Sequence, residues 1–160
     1  MQGSAMIIAK VEKKDLKTIL ELQYTAYQSE AVLLNNFDIP PLKQTLEEIE
    51  REYETGIFLK ATGASGMIIG SVRAYNELGT TYVGKLIVHP DRQGKGIGTK
   101  LLTAIEQACP ARRYELFTSK KSIKNLLLYE YLGYERFKEE EVAEGLTFVF
   151  LEKYIPIVYQ

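Results

Sequence analysis

Three glycines alternate with other residues at the centre of the chain, in the stretch QGKGIG at residues 93–98. The apolar run at 80–89 has the pattern of a strand, and residues 96–108 repeat apolar side chains at helical spacing. Amides at a helix start lack intrahelical acceptors, and the helix dipole adds positive charge there. Because glycine takes positive φ and lets a ligand approach closely, the turn predicts a phosphate-binding loop, with Lys95 and Lys100 nearby.

Two common nucleotide-binding loops do not fit this spacing. A Walker A loop requires G-x-x-x-x-G-K-[ST], but Gly94 and Gly98 stand one residue too close and Thr99 follows where a lysine is needed. A dinucleotide-binding turn requires G-x-G-x-x-G directly after a strand, whereas these glycines alternate and the residues HPDRQ precede them. The sequence therefore disfavours a binding site for ATP or a dinucleotide.

The rest of the chain predicts a mixed α/β fold in one domain over residues 1–160. Seven strands are predicted, over residues 6–11, 57–62, 67–75, 80–89, 113–118, 134–142 and 146–155. Four helices are predicted, over residues 16–27, 46–53, 96–108 and 122–133. Asp15 is the expected N-cap of the first helix, and Thr45 with Glu48 forms a capping box before the second. Pro40 and Pro41 predict a loop at 35–41.

Composition excludes several classes of protein. The net charge of −1 argues against a nucleic-acid binder held by counterion release, and no apolar run approaches the roughly 20 residues of a membrane span. Cys109 is the single cysteine, which indicates a reducing, cytoplasmic compartment. With His89 as the single histidine, no metal site is expected. Residues 1–5 have the character of an expression-tag remnant before Met6.

Two segments together resemble the GNAT acetyltransferase superfamily. The family signature [RQ]-x-x-G-x-[GA] is matched by Gln93, Gly94, Lys95, Gly96, Ile97 and Gly98. The stretch LLLYEYLGYERF at 126–137 is similar to the LYxxLGF helix and strand of that family. The resemblance implies about seven mostly antiparallel strands, splayed at the centre, with four helices. It also implies direct transfer of the acetyl group of acetyl-coenzyme A to a primary amine of a small molecule, peptide or protein.

The resemblance further implies where the cofactor binds. The implied contacts are Leu86, Ile87 and Val88 of the fourth strand, Gln93, Gly94, Lys95, Gly96, Ile97, Gly98 and Thr99 of the loop, and Ser122, Asn125 and Tyr129. The amide of Leu86 or Ile87 is the implied donor to the carbonyl oxygen during transfer. Tyr129 occupies the tyrosine position of the family and is the implied general acid for the leaving thiolate.

The general base and the acceptor site are less closely specified. Many relatives place a glutamate on the fourth strand, but Tyr82 stands there in this chain. Glu30 and Glu77 are therefore the candidate bases, each acting through water, while His89 is interpreted as a loop residue. The resemblance implies an acceptor pocket around the first two helices, and the candidate substrate contacts are Gln23, Tyr27, Glu30 and Tyr82.

Other functions remain open from the sequence. The same fold also suits a non-catalytic coenzyme A-binding sensor, or an enzyme that transfers a different acyl group. The apolar tail YIPIVY at 154–159 suits either a homodimer interface or the end of the sheet.

Overall fold

A computed structural model describes residues 6–156 and shows a seven-stranded sheet with helices on both faces. The strands are β1 (Ile7–Lys10), β2 (Ile57–Thr62), β3 (Ile68–Glu77), β4 (Thr80–Val88), β5 (Arg113–Ser119), β6 (Glu135–Ala143) and β7 (Leu146–Tyr154). The helices are α1 (Leu16–Leu34), α2 (Pro40–Lys43), α3 (Leu46–Thr55), α4 (Ile97–Ala108) and α5 (Ile123–Tyr131). Short 3-10 turns cover Lys13–Asp15 and Pro90–Arg92.

The sheet is mixed and open at its centre. Its strand order is β1-β2-β3-β4-β5-β7-β6, and all neighbours are antiparallel except β4 and β5. These two parallel strands pair only over Thr80–Tyr82 and Arg113–Glu115, and β4 then continues to Val88 beside β3 alone. The predicted mixed, mostly antiparallel sheet with splayed central strands is confirmed. The splay leaves unpaired backbone on β4 in the middle of the fold.

Two apolar clusters hold the helices on opposite faces of this sheet. Phe58 belongs to the cluster with α1 and α3, whereas the next residue, Leu59, belongs to the cluster with α4 and α5. Successive side chains of a strand point to opposite faces, so β2 carries both cores. None of the helices in the described range is long and apolar enough to cross a lipid bilayer.

One of the five helices contradicts the sequence prediction for residues 35–41. Pro40 and Pro41 were expected to exclude a helix, but they occupy its first two positions in α2. The prediction was wrong because amides in the first turn have no intrahelical acceptor, so proline loses nothing there. The described residues therefore contain five helices where four were predicted.

The start of α1 also differs from the prediction. Asp15 makes no side-chain cap to α1 and instead ends the preceding 3-10 turn, where its carboxylate accepts from the Glu12 amide at 2.8 Å. Lys60 of β2 lies 2.6 Å from the same carboxylate oxygen. Hydrogen bonds from Lys60 and Glu12 together lower the pKa of Asp15, although burial opposes them. The capping box of Thr45 and Glu48 at α3 forms as predicted.

We expect Tyr134→Phe to destabilise the fold by about 1–3 kcal/mol, because a buried hydrogen bond to a charged group is lost. Tyr134 is 2% exposed, and its hydroxyl donates to the Glu106 carboxylate of α4 at 2.7 Å. Lys153 of β7 approaches the other oxygen of Glu106 at 2.9 Å. Urea denaturation measures the loss. Tyr131→Phe is the matched control, since Tyr131 is 83% exposed and its change should leave stability within about 0.5 kcal/mol.

Candidate active site

The glycine loop between β4 and α4 is shaped by backbone conformation. Gly94 and Gly96 have φ of +77° and +80°, in the left-handed region that favours glycine. A Cβ added at either position would meet no atom within 4 Å, so protein atoms do not crowd the loop. Gly98 lies in the first turn of α4, where an added Cβ would sit 3.6 Å from the Leu128 side chain. The loop therefore presents its backbone to open space.

The amides of this loop are available to a ligand. Within residues 6–156, the N–H groups of residues 94–99 donate to no protein acceptor, and the first helical bond of α4 runs from the Lys100 amide to the Gly96 carbonyl at 3.1 Å. The helix has 12 residues, so its dipole adds positive potential at this end. Converging free amides at a helix start fit a phosphate group.

A large cleft, which we call the loop cleft, runs from these amides along β4. Its volume is about 670 Å³. Four segments line it: Ala26, Tyr27, Ser29, Glu30 and Leu33 of α1; Leu86, Ile87 and Val88 of β4; Arg92, Gln93, Gly94, Gly96, Ile97, Gly98 and Thr99; and Lys121, Ser122, Ile123, Lys124, Asn125 and Leu128. The implied cofactor contacts all line this cleft except Lys95, which is exposed, and Tyr129.

Three cations add charge to the loop cleft. Arg92, Lys121 and Lys124 line its wall. Positive charges attract an anion most strongly where protein walls exclude water. These side chains therefore strengthen the anion preference that the free amides create.

At the end of β4, every second backbone amide faces the gap between β4 and β5. The His89 amide donates to Ile69 of β3 at 2.8 Å, so by strand alternation the Val88 amide points away from β3 and the Ile87 amide points toward it. On that side β5 has already separated, and the gap is open. Geometry thus favours Leu86 over Ile87 as a backbone donor to a ligand.

A β-bulge places Lys85 and Leu86 together opposite Val72. The register passes from Ser71 with Ile87 to Arg73 with Gly84, which leaves two β4 residues against one β3 residue. Lys85 has φ of +48°, which is uncommon for a residue other than glycine. Bulges bend a strand and re-aim its side chains, and this one lies where β4 leaves β5.

A second cavity, which we call the inner pocket, lies beside the loop cleft between the splayed strands. Its volume is about 190 Å³. Its lining is Tyr27, Glu30, Leu34, Ile39, Pro40, Pro41, Val83, Gly84, Lys85, Leu86, Leu116, Phe117, Thr118, Ser119, Asn125, Tyr129, Leu146 and Phe148. Tyr27, Glu30, Leu86 and Asn125 line both cavities, so the two meet at these residues.

Tyr129 presents an unpaired hydroxyl at the inner pocket. Its side chain is 6% exposed, and within residues 6–156 its Oη has no hydrogen-bond partner. Buried polar groups are nearly always hydrogen-bonded, so such an exception calls for an absent partner. Burial raises the pKa of the Tyr129 phenol above its ordinary value, and Tyr27 and Glu30 raise it further. The group is therefore a protonated donor at neutral pH.

Tyr27 and Glu30 of α1 face the junction of the two cavities. Burial raises the pKa of Tyr27 to about 12, with Arg73 opposing and Glu30 reinforcing the rise. Ser122 donates to Glu30 Oε1 at 2.5 Å, and Asn125 donates to Thr118 Oγ1 at 3.2 Å. The structure thus brings the predicted residues Tyr27, Glu30, Ser122 and Asn125 to one place.

Three of the predicted catalytic and substrate-binding residues line neither cavity. Gln23 is fully buried beneath α2, where it donates to the Pro41 carbonyl at 2.8 Å and accepts from Arg73. Glu77 is exposed at the end of β3, in the turn before β4 and far from the glycine loop, and Tyr82 stacks on Tyr75 with ring centroids 5.2 Å apart. The structure does not bring these residues to the junction of the cavities.

Lys85 lines the inner pocket and was missed by the sequence analysis. Burial lowers its pKa below the ordinary value, Arg73 lowers it further, and Glu52 opposes them. No residue in the described range forms a hydrogen bond or ion pair with its ammonium. The signal in the sequence was Gly84, since glycine inside a strand pattern often marks a bulge.

Comparison with known proteins agrees with this geometry. The profile of the acetyltransferase (GNAT) domain matches residues 24–155. The UPF0157 protein YqkA of Bacillus subtilis (strain 168) is 27% identical over 131 residues, covering 81% of this chain. The chain spans 37% of the length of that relative.

Solved structures share the whole fold at low identity. The paiA N-acetyltransferase of Thermoplasma acidophilum, in complex with coenzyme A, superposes with a TM-score of 0.78 and 17% identity, over 94% of this chain and 99% of that one. The structure of yncA from Salmonella typhimurium, with its cofactor acetyl-CoA, has a TM-score of 0.72 and 18% identity, over 97% and 96% of the two chains.

Proposed function

The chain belongs to the GNAT acetyltransferase family, and from this premise we propose that it transfers the acetyl group of acetyl-coenzyme A directly to a primary amine. The observation that carries the proposal is the junction of the two cavities. An anion-binding cleft meets a small pocket at Tyr27, Glu30, Leu86 and Asn125, so donor and acceptor can be held at once. A direct transfer within a ternary complex requires that arrangement. The acceptor is a small molecule, or the amine of a peptide or protein.

The residues present fit acetyl-coenzyme A, which supplies an activated acetyl thioester when bound. The free amides of residues 94–99, with Arg92, Lys121 and Lys124, would hold the diphosphate. The unpaired backbone of Leu86 and Val88 would hold the extended arm as an added strand does.

Leu86 would stabilise the charge that develops on the carbonyl oxygen. Leu86 lines both cavities where they meet, and its amide would face the gap that β5 leaves beside β4. A fixed backbone donor aimed at such an oxygen contributes roughly 3–4 kcal/mol to the transition state. The bulge at Lys85 and Leu86 interrupts the regular ladder with β3 here and would set this direction.

Tyr129 and Glu30 would move the two protons of the reaction. As the carbon–nitrogen bond forms, Glu30 accepts a proton from the amine, directly or through water. As the carbon–sulfur bond breaks, the Tyr129 hydroxyl would donate its proton to the sulfur, and the proton taken up by Glu30 would be passed through solvent to restore the phenol. The raised pKa of Tyr129 keeps that proton in place at neutral pH. Ser122 holds the Glu30 carboxylate at the junction.

The proposal predicts that acetyl-coenzyme A raises the melting temperature, because a ligand that binds only the folded state stabilises it. At a ligand concentration 100 times Kd the gain is about 2.7 kcal/mol. A panel of primary amines with thiol release as readout then tests turnover. No shift at millimolar acetyl-coenzyme A would refute the proposal. A shift without thiol release from any amine would favour a non-catalytic coenzyme A-binding protein.

Two broader expectations belong with this proposal. The single cysteine, Cys109, is buried and free, in keeping with a cytoplasmic location. The tail at 154–159, expected either to join a homodimer or to finish the sheet, extends beyond the described residues, as does the tag-like segment 1–5.

A further inference from the structure

The inner pocket is lined by a lysine, Lys85, whose ammonium forms no ion pair or hydrogen bond within residues 6–156. Arg73 and Glu52 lie within Coulombic range of Lys85, but Arg73 already pairs with Glu52 at 3.1 Å. Arg73 and Glu52 neutralise each other, so neither of them supplies a counter-ion to the ammonium of Lys85. Lys85 is partly buried, and an ammonium removed from water without a partner is costly, since such groups are usually paired or hydrogen-bonded. The missing partner of Lys85 is therefore an anion.

The remaining surface of the pocket is mostly apolar. Leu34, Ile39, Pro41, Leu116, Leu146 and Phe148 supply aliphatic and aromatic wall. Glu30 is the other charged side chain among the lining residues, and it also faces the loop cleft. The pocket thus offers a carboxylate toward the loop cleft, an ammonium on β4, and apolar wall around them.

The volume of the pocket limits the size of its occupant. At about 30 Å³ per water molecule, 190 Å³ corresponds to roughly six waters. Drug-sized ligands need about 300–1,000 Å³. A compact molecule fits here, whereas a folded protein chain could insert only one side chain.

We propose that the acceptor is a free amino acid with an apolar side chain, bound through its carboxylate to Lys85 and through its amine at Glu30. This inference rests on the proposed acetyl transfer and names its substrate class. The apolar side chain lies against the aliphatic and aromatic wall. The amine then points to the junction where Leu86 and Tyr129 act.

Lys85 is expected to reduce the stability of the folded protein. Since burial lowers its pKa, the unfolded chain binds the proton more tightly than the folded chain does. The penalty is complete at pH values below the folded pKa and disappears as pH rises to the unfolded pKa. Lys85→Met keeps the length of the side chain and removes the charge, so its melting temperature should equal or exceed that of the wild type. A loss of binding in this variant cannot then be attributed to unfolding.

The test compares amino acids with the amines that lack only their carboxylate. L-leucine is paired with isopentylamine, and L-phenylalanine with 2-phenylethylamine. We expect the wild type to favour the amino acid in kcat/KM, and Lys85→Met to reduce that preference about tenfold to a hundredfold. Calorimetric titration of the amino acid into protein with coenzyme A gives a readout independent of turnover. Lys138→Met on exposed β6 is the control and should retain the preference.

The possible results distinguish a failure of the amino-acid substrate from a failure of the proposed acetyl transfer. If the amine is acetylated as well as its amino acid, or if Lys85→Met leaves the preference intact, the inference is wrong and acetyl transfer stands. If neither is acetylated but the amino acid binds in a Lys85-dependent way, the binding site stands and the proposed reaction fails. If the amino acid neither binds nor reacts, the inference is overturned.

Discussion

Replacing Tyr129 by phenylalanine is expected to lower kcat about 100-fold to 1,000-fold while leaving the affinity for coenzyme A unchanged. General acid catalysis by a positioned side chain contributes roughly 100-fold to 10,000-fold. Tyr129 lines the inner pocket but not the loop cleft, so its hydroxyl should not contribute to holding the diphosphate. Steady-state kinetics with thiol release measures kcat, and titration calorimetry measures the affinity.

The stability of the Tyr129→Phe variant shows whether the Tyr129 hydroxyl acts in catalysis or only in packing. The Tyr129 hydroxyl has no hydrogen-bond partner within residues 6–156, so its removal breaks no bond in the described protein. Tyr129→Phe should therefore melt at or above the wild-type temperature while it loses activity. Tyr131→Phe, two positions along the same helix and exposed, is the matched control with unchanged kcat. A Tyr129→Phe enzyme with wild-type kcat would show that the phenol only packs.

The elements that the sequence predicted best are those whose signals are local. Residues 57–62 form β2 with the predicted bounds, and the capping box of Thr45 and Glu48 opens α3. The glycine loop is also local, because positive φ at Gly94 and Gly96 follows from the residue type. Such features depend on a few neighbouring residues, so one sequence is enough to predict them.

The features that the sequence missed depend on distant partners. Lys85 enters the inner pocket because a bulge forms against Val72, and a bulge is a property of two strands. Gln23 lies on the buried face of α1, but helical periodicity does not show that Arg73 would engage it. Tyr82 was a substrate candidate from its position on β4, yet at that position β4 is still paired with β5. Where β4 and β5 separate is decided by the whole sheet.

Changing both Gly94 and Gly96 to alanine should weaken coenzyme A binding by about 100-fold or more. Alanine resists left-handed φ at a cost of roughly 1–2 kcal/mol per residue, so the loop would relax and turn its amides away. A hydrogen bond to a charged group contributes roughly 1.5–3 kcal/mol, and about 1.4 kcal/mol is a tenfold change in affinity. The loss of two such bonds therefore exceeds a hundredfold. Titration calorimetry with coenzyme A measures it.

A second double variant separates the loss of ligand binding from the general cost of placing alanine at positive φ. Gly79 and Gly145 have φ of +86° and +76°, meet no atom within 4 Å of an added Cβ, and lie in turns outside both cavities. Changing both to alanine imposes the same backbone penalty, so the two double variants should lose similar stability in urea. Only the loop variant should lose affinity, because only its amides face the loop cleft. Equal affinities in the two variants would show that the free amides at 94–99 do not hold the cofactor, since a phosphate bound there cannot tolerate their reorientation.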